Sequence, residues 1–294
     1  MEEINMADKL IRGLGLNDEV RIFSLDTTDT VNEAVNRHKA YPTAAAALGR
    51  TMTATVVLGA MLKGKDKVTV TVEGGGPIGA IVTDADANGH VRGYVQHPDV
   101  HFDLNAQGKL DVSRAVGTNG YLRVAKDIGL KDNFVGSVEL ISGELGEDFS
   151  YYFYHSEQVP SIVALGVLVN PDNTVKAAGG LVIQVLPAAS EETITCLEKI
   201  ASEMRPISQM IDDNLTPEQI VDEVLGDSWR KLDEMPVEFE CTCSKERFIN
   251  AIASLEKDEI KQMIEEDGGA EAVCNFCRND VWIEKEELEA LLEE

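Results

Sequence analysis

Four of the five cysteines fall into two tight pairs, Cys241-Thr-Cys243 and Cys274-Asn-Phe-Cys277, with thirty residues between them. Two short chelating pairs brought together by a fold supply the four thiolates of a tetrahedral structural zinc site at little cost in loop entropy. No histidine follows His155, so such a site is all-cysteine. The competing readings are two buried thiol pairs or two ordinary structural disulfides, and both fit poorly with paired spacing in a chain that shows no export leader. One residue separates the first pair instead of the usual two. On an extended segment, residues i and i+2 point to the same side, so both can ligate one ion, and they become neighbours able to join once it leaves. Cys274 and Cys277 have the same option. Zinc holds its ligands as thiolates, the form that peroxide or hypochlorite attacks, so the set reads as an oxidant trigger as well as a staple. The fifth cysteine, Cys196, sits on an amphipathic stretch and reads as a core thiol.

A chain of 294 residues is long enough for one large core and a smaller unit. Its net charge of −26 argues against nucleic-acid and anionic-membrane partners, both of which require clustered Lys and Arg. Residues 233–294 repeat that bias, with 19 acidic against 6 basic side chains, so the cysteine region is not read as a nucleic-acid-binding ribbon. Met1-Glu2-Glu3-Ile4 has no basic and apolar leader character. No apolar run reaches the ~18 residues of a span, and a reducing cytoplasm suits metal-bound thiols.

The elements that must position these cysteines read as an α+β protein in three parts: an amino-terminal core over 1–187, a helical linker over 188–232, and a small zinc-binding domain over 233–294. In the first part, strands are expected at Val20–Leu25, Lys67–Val72, Tyr121–Lys126 and Phe134–Glu139, with hairpins around Asp86–Gly89 and around Pro171-Asp-Asn173. Thr30-Val-Asn-Glu33 has the form of a capping box opening a helix that ends near Tyr41, where Pro42 interrupts. An alanine-rich run from Thr43 to about Leu62 predicts a buried helix lying close to a sheet. The strands come in antiparallel blocks with helices inserted.

Two phosphate-binding look-alikes are set aside. Gly59-Ala-Met-Leu-Lys-Gly64-Lys65 lacks the Ser or Thr that would hold magnesium, since position 66 is Asp, and a helix leads into it. Gly74-Gly-Gly76-Pro-Ile-Gly79 lacks the helix whose N-terminus would hold a pyrophosphate, so it reads as a tight turn between strands. His97, His101 and His155 have no spaced partners for a triad. No catalytic or nucleotide site is therefore expected.

From Ser190 the chain turns polar and helical. Ser190 caps one helix, and Thr216-Pro-Glu-Gln219 is a full capping box with Gly226 as its stop. Ile194, Leu197, Ile200 and Met204 share one helical face, and Ile220, Val224 and Leu225 share another. Helices this short need a surface to lie on. In the last part, Ser244 caps a helix carrying Phe248, Ile252 and Leu255, Gly268-Gly269 ends a second helix, and short strands flank the second cysteine pair. So thin a core over 62 residues depends on metal.

Taken together, these residues resemble a known family, the bacterial redox-regulated heat-shock chaperones of the thirty-three kilodalton chaperonin type. The resemblance spans the whole chain. It rests on Cys241, Cys243, Cys274 and Cys277, on Glu147-Asp-Phe-Ser-Tyr-Tyr-Phe153 with Ser156-Glu-Gln158, on Ala164-Leu-Gly-Val-Leu-Val169, and on Gly179-Gly180 followed by Ile183-Gln184 and Leu186-Pro187. Cys196 lies outside the pattern. The resemblance implies an ATP-independent holdase that is inactive when reduced and bound to one zinc ion. It further implies that oxidation to disulfides Cys241–Cys243 and Cys274–Cys277 releases zinc, loosens the linker and yields an active form that homodimerises. Ile194, Leu197, Ile200, Ile220 and Val224 are the expected contacts for unfolding client proteins. The alternatives are an enzyme with a merely structural zinc, which a small-molecule ligand would protect against heat, and a fixed-partner module, which would form one stoichiometric complex.

Overall fold

The computed structural model describes residues 7–293, so Met1–Ile4, read above for leader character, lies outside the described residues. The chain forms two compact units, Met1–Phe239 and Glu240–Glu294.

The first unit is layered. A five-stranded sheet has the order β10-β1-β2-β9-β8, from β1 (Lys9–Gly15), β2 (Val20–Asp26), β8 (Ser161–Val169), β9 (Val175–Val185) and β10 (Trp229–Pro236). A six-stranded sheet has the order β11-β5-β4-β3-β6-β7, from β3 (Lys67–Glu73), β4 (Ala80–Asp86), β5 (His90–Val95), β6 (Tyr121–Asp127), β7 (Phe134–Glu139) and β11 (Glu238–Phe239). Every pairing is antiparallel except β11 on β5. Between the sheets lie α1 (Thr28–His38), α2 (Pro42–Ala60) and α4 (Gly146–His155), while α3 (Val112–Val116) packs on α2.

The alanine-rich helix α2 is buried on almost every side, contacting β3, β4 and β5 of one sheet and β8 and β9 of the other. Small side chains permit that approach. A Cβ on Gly49 would stand 2.7 Å from Val31 Cγ1 and 2.9 Å from Val167 Cγ2. Its threonines bring their own partners: the hydroxyls of Thr51, Thr53 and Thr55 donate to the carbonyls of Ala47, Gly49 and Thr51, and Thr55 also meets Thr83 at 2.6 Å. These three buried hydroxyls are thus satisfied inside an apolar layer.

Pro42 does not interrupt a helix; it occupies the first turn of α2, where its missing N–H costs nothing. The expected capping box at Thr30–Glu33 is also corrected. Thr30 lies inside α1 and its hydroxyl donates to the Val237 carbonyl. The free N–H groups of that helix end are taken instead by carboxylates, Thr28 donating to Asp26 and both Asp29 and Thr30 to Asp8. Burial lifts the Asp8 carboxyl to about 6, against the opposing hydrogen bonds from Thr30 and Asp29.

The outer face of the five-stranded sheet is covered by α5 (Glu191–Glu203), α6 (Ile207–Asp212) and α7 (Pro217–Leu225). The expected caps are present: Ser190 Oγ accepts from Thr193 N–H, and Thr216 with Gln219 forms the reciprocal box. Trp229–Pro236, read above partly as the end of a helical linker, is a strand on the edge of this sheet. The chain then crosses to the other sheet as β11, with the Val237 N–H on the Asp8 carbonyl and the Glu238 N–H on the Gly89 carbonyl.

The second unit contains α8 (Lys245–Ile252), α9 (Lys257–Asp267), a hairpin of β12 (Gly269–Val273) and β13 (Asp280–Glu284), and α10 (Lys285–Glu293). Gly268, in the left-handed region, ends α9 as expected. Its fully buried apolar core is Ile260, Ile283 and Leu288, flanked by half-buried Phe248, Ile249, Ile252, Met263 and Ile264. Leu255 falls beyond the end of α8 and is exposed.

Candidate metal centre

Cys241 and Cys243 lie on the irregular segment that leads into α8, whose first turn is capped by the Ser244 hydroxyl accepting from the Arg247 N–H. Arg247 also donates to the Thr242 carbonyl and hydroxyl, which pins the residue between the two cysteines. Cys274 and Cys277 sit at the tip of the β12–β13 hairpin. There Cys274 N–H donates to the Asn279 carbonyl and Arg278 N–H to the Cys274 carbonyl, each at 2.9 Å, with Arg278 in the left-handed region to complete the reversal. The local chain thereby aims each pair inward.

All four sulfurs lie within 4.8 Å of one another. The Cys241 and Cys274 sulfurs are 3.7 Å apart and those of Cys243 and Cys277 3.4 Å. Four thiolates around a metal at ~2.3 Å define a tetrahedron with edges of ~3.8 Å, so the set fits one zinc-sized ion. Cys274 and Cys277 are buried. Burial, followed by the neighbouring thiols of Cys277, Cys241 and Cys274, pushes the Cys243 thiol up. Burial also raises Cys277, although the Asn279 N–H pulls the other way. Sulfurs packed this closely resist ionisation unless a cation is placed among them, which is the donor chemistry of a metal site.

The other residues singled out from sequence lie in the first unit. On α5, Leu197 is buried against the five-stranded sheet, Ile200 is half-buried there and Ile194 is exposed; on α7, Ile220 is fully buried and Val224 half-buried. Sequence reasoning missed α6, which adds Ile207, Met210 and Ile211 to the same cluster, and missed Val221. The i, i+3, i+4 spacing of Ile207, Met210 and Ile211 carried that signal. Cys196 is a free, partly exposed thiol on α5 and not part of the cysteine cluster.

Both glycine motifs serve packing. A Cβ on Gly59 would meet the Asp86 carbonyl at 2.5 Å, and Cβ atoms on Gly74 and Gly76 would meet the Val116 and Ala115 carbonyls at 2.3 and 2.2 Å. His101 pairs with the Thr43 hydroxyl, and His155 packs on Tyr151 and Tyr154.

The profile of the Hsp33 protein family matches residues 8–284. This chain belongs to the Hsp33 family. The Hsp33 chain is 61% identical over 287 residues to the 33 kDa chaperonin of Bacillus velezensis, covering 98% of this chain and 99% of that protein. It is 58% identical to the 33 kDa chaperonin of Staphylococcus aureus, covering 97% and 98%. A crystal structure of the 33 kDa chaperonin from Thermotoga maritima superposes with a TM-score of 0.92 at 35% identity, covering 98% of both chains. The Hsp33 chain is accordingly a chaperone-family protein of mixed helix and antiparallel-rich sheet, with a cysteine cluster able to hold a metal ion. Among the described residues, no helix is long and apolar enough to cross a membrane.

Proposed function

We propose that this Hsp33 chain is an ATP-independent, redox-regulated holdase of the cytoplasm, held inactive by one zinc ion on Cys241, Cys243, Cys274 and Cys277. The observation that carries this reading is the placement of four mutually close sulfurs in a unit whose buried apolar cluster, among the described residues, is Ile260, Ile283 and Leu288. Zinc, when bound, keeps the sulfurs as thiolates and contributes an apparent ~10–16 kcal/mol to the folding of a small domain. Each disulfide forms when two thiolates pass two electrons to a peroxide, which takes up two protons and leaves as two waters. The proposed bonds are Cys241–Cys243 and Cys274–Cys277. Sulfur approaches of 3.7 and 3.4 Å also join the two pairs, so peptide mapping after oxidation must distinguish local bonds from Cys241–Cys274 and Cys243–Cys277.

With its metal lost, the second unit has too little burial to stay folded. The segment over 229–239, which ties both sheets of the first unit together through β10 and β11, then loses its ordered continuation, and the helices of 188–232 become free to lift. That exposes Leu197, Ile220 and the apolar face beneath them, with Ile194, Ile200 and Val224 at its margin. Apolar contact captures unfolding clients, the activated chain dimerises, and the charge of −26 keeps complexes dissolved. In this reading the functional parts are 1–187, 188–232 and 233–294.

The test is light scattering from a thermally unfolding client without ATP, with the chain added either reduced and zinc-loaded or oxidised and zinc-free. Suppression by the oxidised form alone is expected. Equal failure of both forms would return the cysteine cluster to a structural role.

A further inference from the structure

Strand β7 is one edge of the six-stranded sheet, opposite the two-residue β11. Its pairing fixes which backbone groups face outward. Leu140 N–H donates to the Gly120 carbonyl, and the register runs Leu122↔Val138, Val124↔Gly136 and Lys126↔Phe134. By antiparallel alternation, residues 134, 136 and 138 direct their N–H and C=O groups at β6, while Val135, Ser137 and Glu139 direct theirs away from the sheet. Among the described residues, no N–H of those three reaches another element.

The other long edges differ. β10 (Trp-Arg-Lys-Leu-Asp-Glu-Met-Pro) is charged and ends in proline, the ordinary protection of an edge. β8 is mostly half-buried, with α2, α4 and α6 against it. At β7, by contrast, Phe134 and Val135 are 59% and 53% exposed, and Ile128 and Leu130 of the preceding turn are exposed as well. Past the other end of the strand, exposed Ile141 lines a groove of about 460 Å³ with Tyr151, Tyr154, Pro160 and Val163. An open row of main-chain donors and acceptors with apolar surface at both ends selects an extended backbone with apolar side chains, with little regard to sequence. A second copy of this chain is a poorer occupant, because it brings a further charge of −26.

We propose that the outer edge of β7, together with the groove beginning at Ile141, binds an extended apolar segment of a non-native polypeptide as an added strand of the six-stranded sheet. The proposal rests on the chaperone reading above and adds to it a contact that is already open in the reduced protein. One strand grips weakly; joined to the face uncovered by oxidation, it acts through effective concentration.

The experiment uses the full-length chain, reduced and zinc-loaded, and a fluorescein-labelled apolar peptide of high β-propensity read by anisotropy. The control peptide has identical side chains but N-methyl groups on alternate amides, which blocks strand pairing alone. Ser137→Pro removes an outward N–H without touching the ladder to β6, and Val135→Lys places a charge on the edge; circular dichroism confirms that each variant is folded. Binding of the unmodified peptide that falls by about tenfold or more in both variants and with the methylated peptide supports the proposal. Equal binding of the two peptides, unchanged binding by the variants, or edge substitutions that alter only self-association in sedimentation would each overturn it. Client scattering on the oxidised forms separates this result from the wider reading. Suppression retained by Ser137→Pro alongside lost wild-type peptide selectivity sinks the edge alone, whereas no suppression by oxidised wild type sinks the chaperone reading.

Discussion

In the first unit, a helix of 19 residues is buried between two sheets, and a second apolar cluster fills the space between the five-stranded sheet and three short helices. In the second, the buried apolar cluster among the described residues is only Ile260, Ile283 and Leu288, and four sulfurs converge at the tip of one hairpin and the start of one helix. The first can be held by burial, which no oxidant touches. The second sits near the size at which burial alone is marginal, so its stability can be delegated to a ligand set that oxidation removes. A switch requires this asymmetry: a part that can be lost and a part that survives to act.

The largest break in that comparison comes from the sulfurs. Cys274→Ser, or chelation of the metal, should unfold residues 240–294 and leave the first unit intact, removing up to the ~10 kcal/mol scale of a structural zinc site. Hydrogen exchange reads this directly: protection should vanish across α8–α10 and persist across α2 and β9. Retained protection in the second unit would mean that its three-residue core suffices, and the asymmetry would be lost.

Next in size is the cover over the five-stranded sheet. Ile220→Ala opens a cavity in a fully buried site and should cost ~2–5 kcal/mol, concentrated in α7. The reduced protein should then bind an apolar dye without oxidant. Val224→Glu, on a half-buried position, should spare the fold and zinc release yet weaken client capture by the oxidised form. A silent Val224→Glu would remove that face from the client surface.

The parts legible in the sequence were those with local chemistry. The caps at Ser190, Thr216 and Ser244, the hairpin at Asp86–Gly89 and the stop at Gly268 announce themselves within a few residues, because each is satisfied by its immediate neighbours, and the cysteines announce themselves by the close spacing within each pair. What stayed hidden depends on distant partners. Thr30-Val-Asn-Glu33 looks like a helix start, but the true start is capped from Asp26 and from Asp8, across space. β10 shows little apolar alternation because most of its residues are exposed on a sheet edge, so only its pairing with β1 reveals it. In α4, five consecutive residues from Ser150 to Tyr154 include four aromatics with strand propensity, overridden by Asp148, whose carboxylate gathers the N–H groups of Ile141, Ser142 and Leu145 at the helix start. For the site, spacing was sufficient to pick out the four cysteines whose sulfurs converge, but not which helices over the sheet would be buried.

A smaller effect tests the helix end that anchors this cover. Thr216→Ala removes the acceptor for the Gln219 N–H and should cost ~1 kcal/mol, with exchange rising first in α7.

The smallest is electrostatic, and its sign is fixed by geometry. Glu218, on α7, accepts from Lys9 of β1 at 2.8 Å and from Lys231 of β10 at 2.7 Å, so one carboxylate ties the cover to two strands beneath it. Burial works against its charge, but the hydrogen bonds from Lys231 and Lys9 outweigh burial and hold the carboxyl down at about 2, against an ordinary 4.5. A depressed carboxyl stabilises the folded form above its unfolded value and loses that contribution as pH falls from 4.5 towards 2. All three side chains are a quarter to a third exposed, so solvent screening limits the contribution to about 1 kcal/mol or less. Glu218→Gln should therefore lower stability slightly at neutral pH, and the gap from wild type should close as the solution is acidified through that window. A gap that stayed constant would show that Glu218 acts through packing, and the ties between α7 and the sheet would then be apolar throughout.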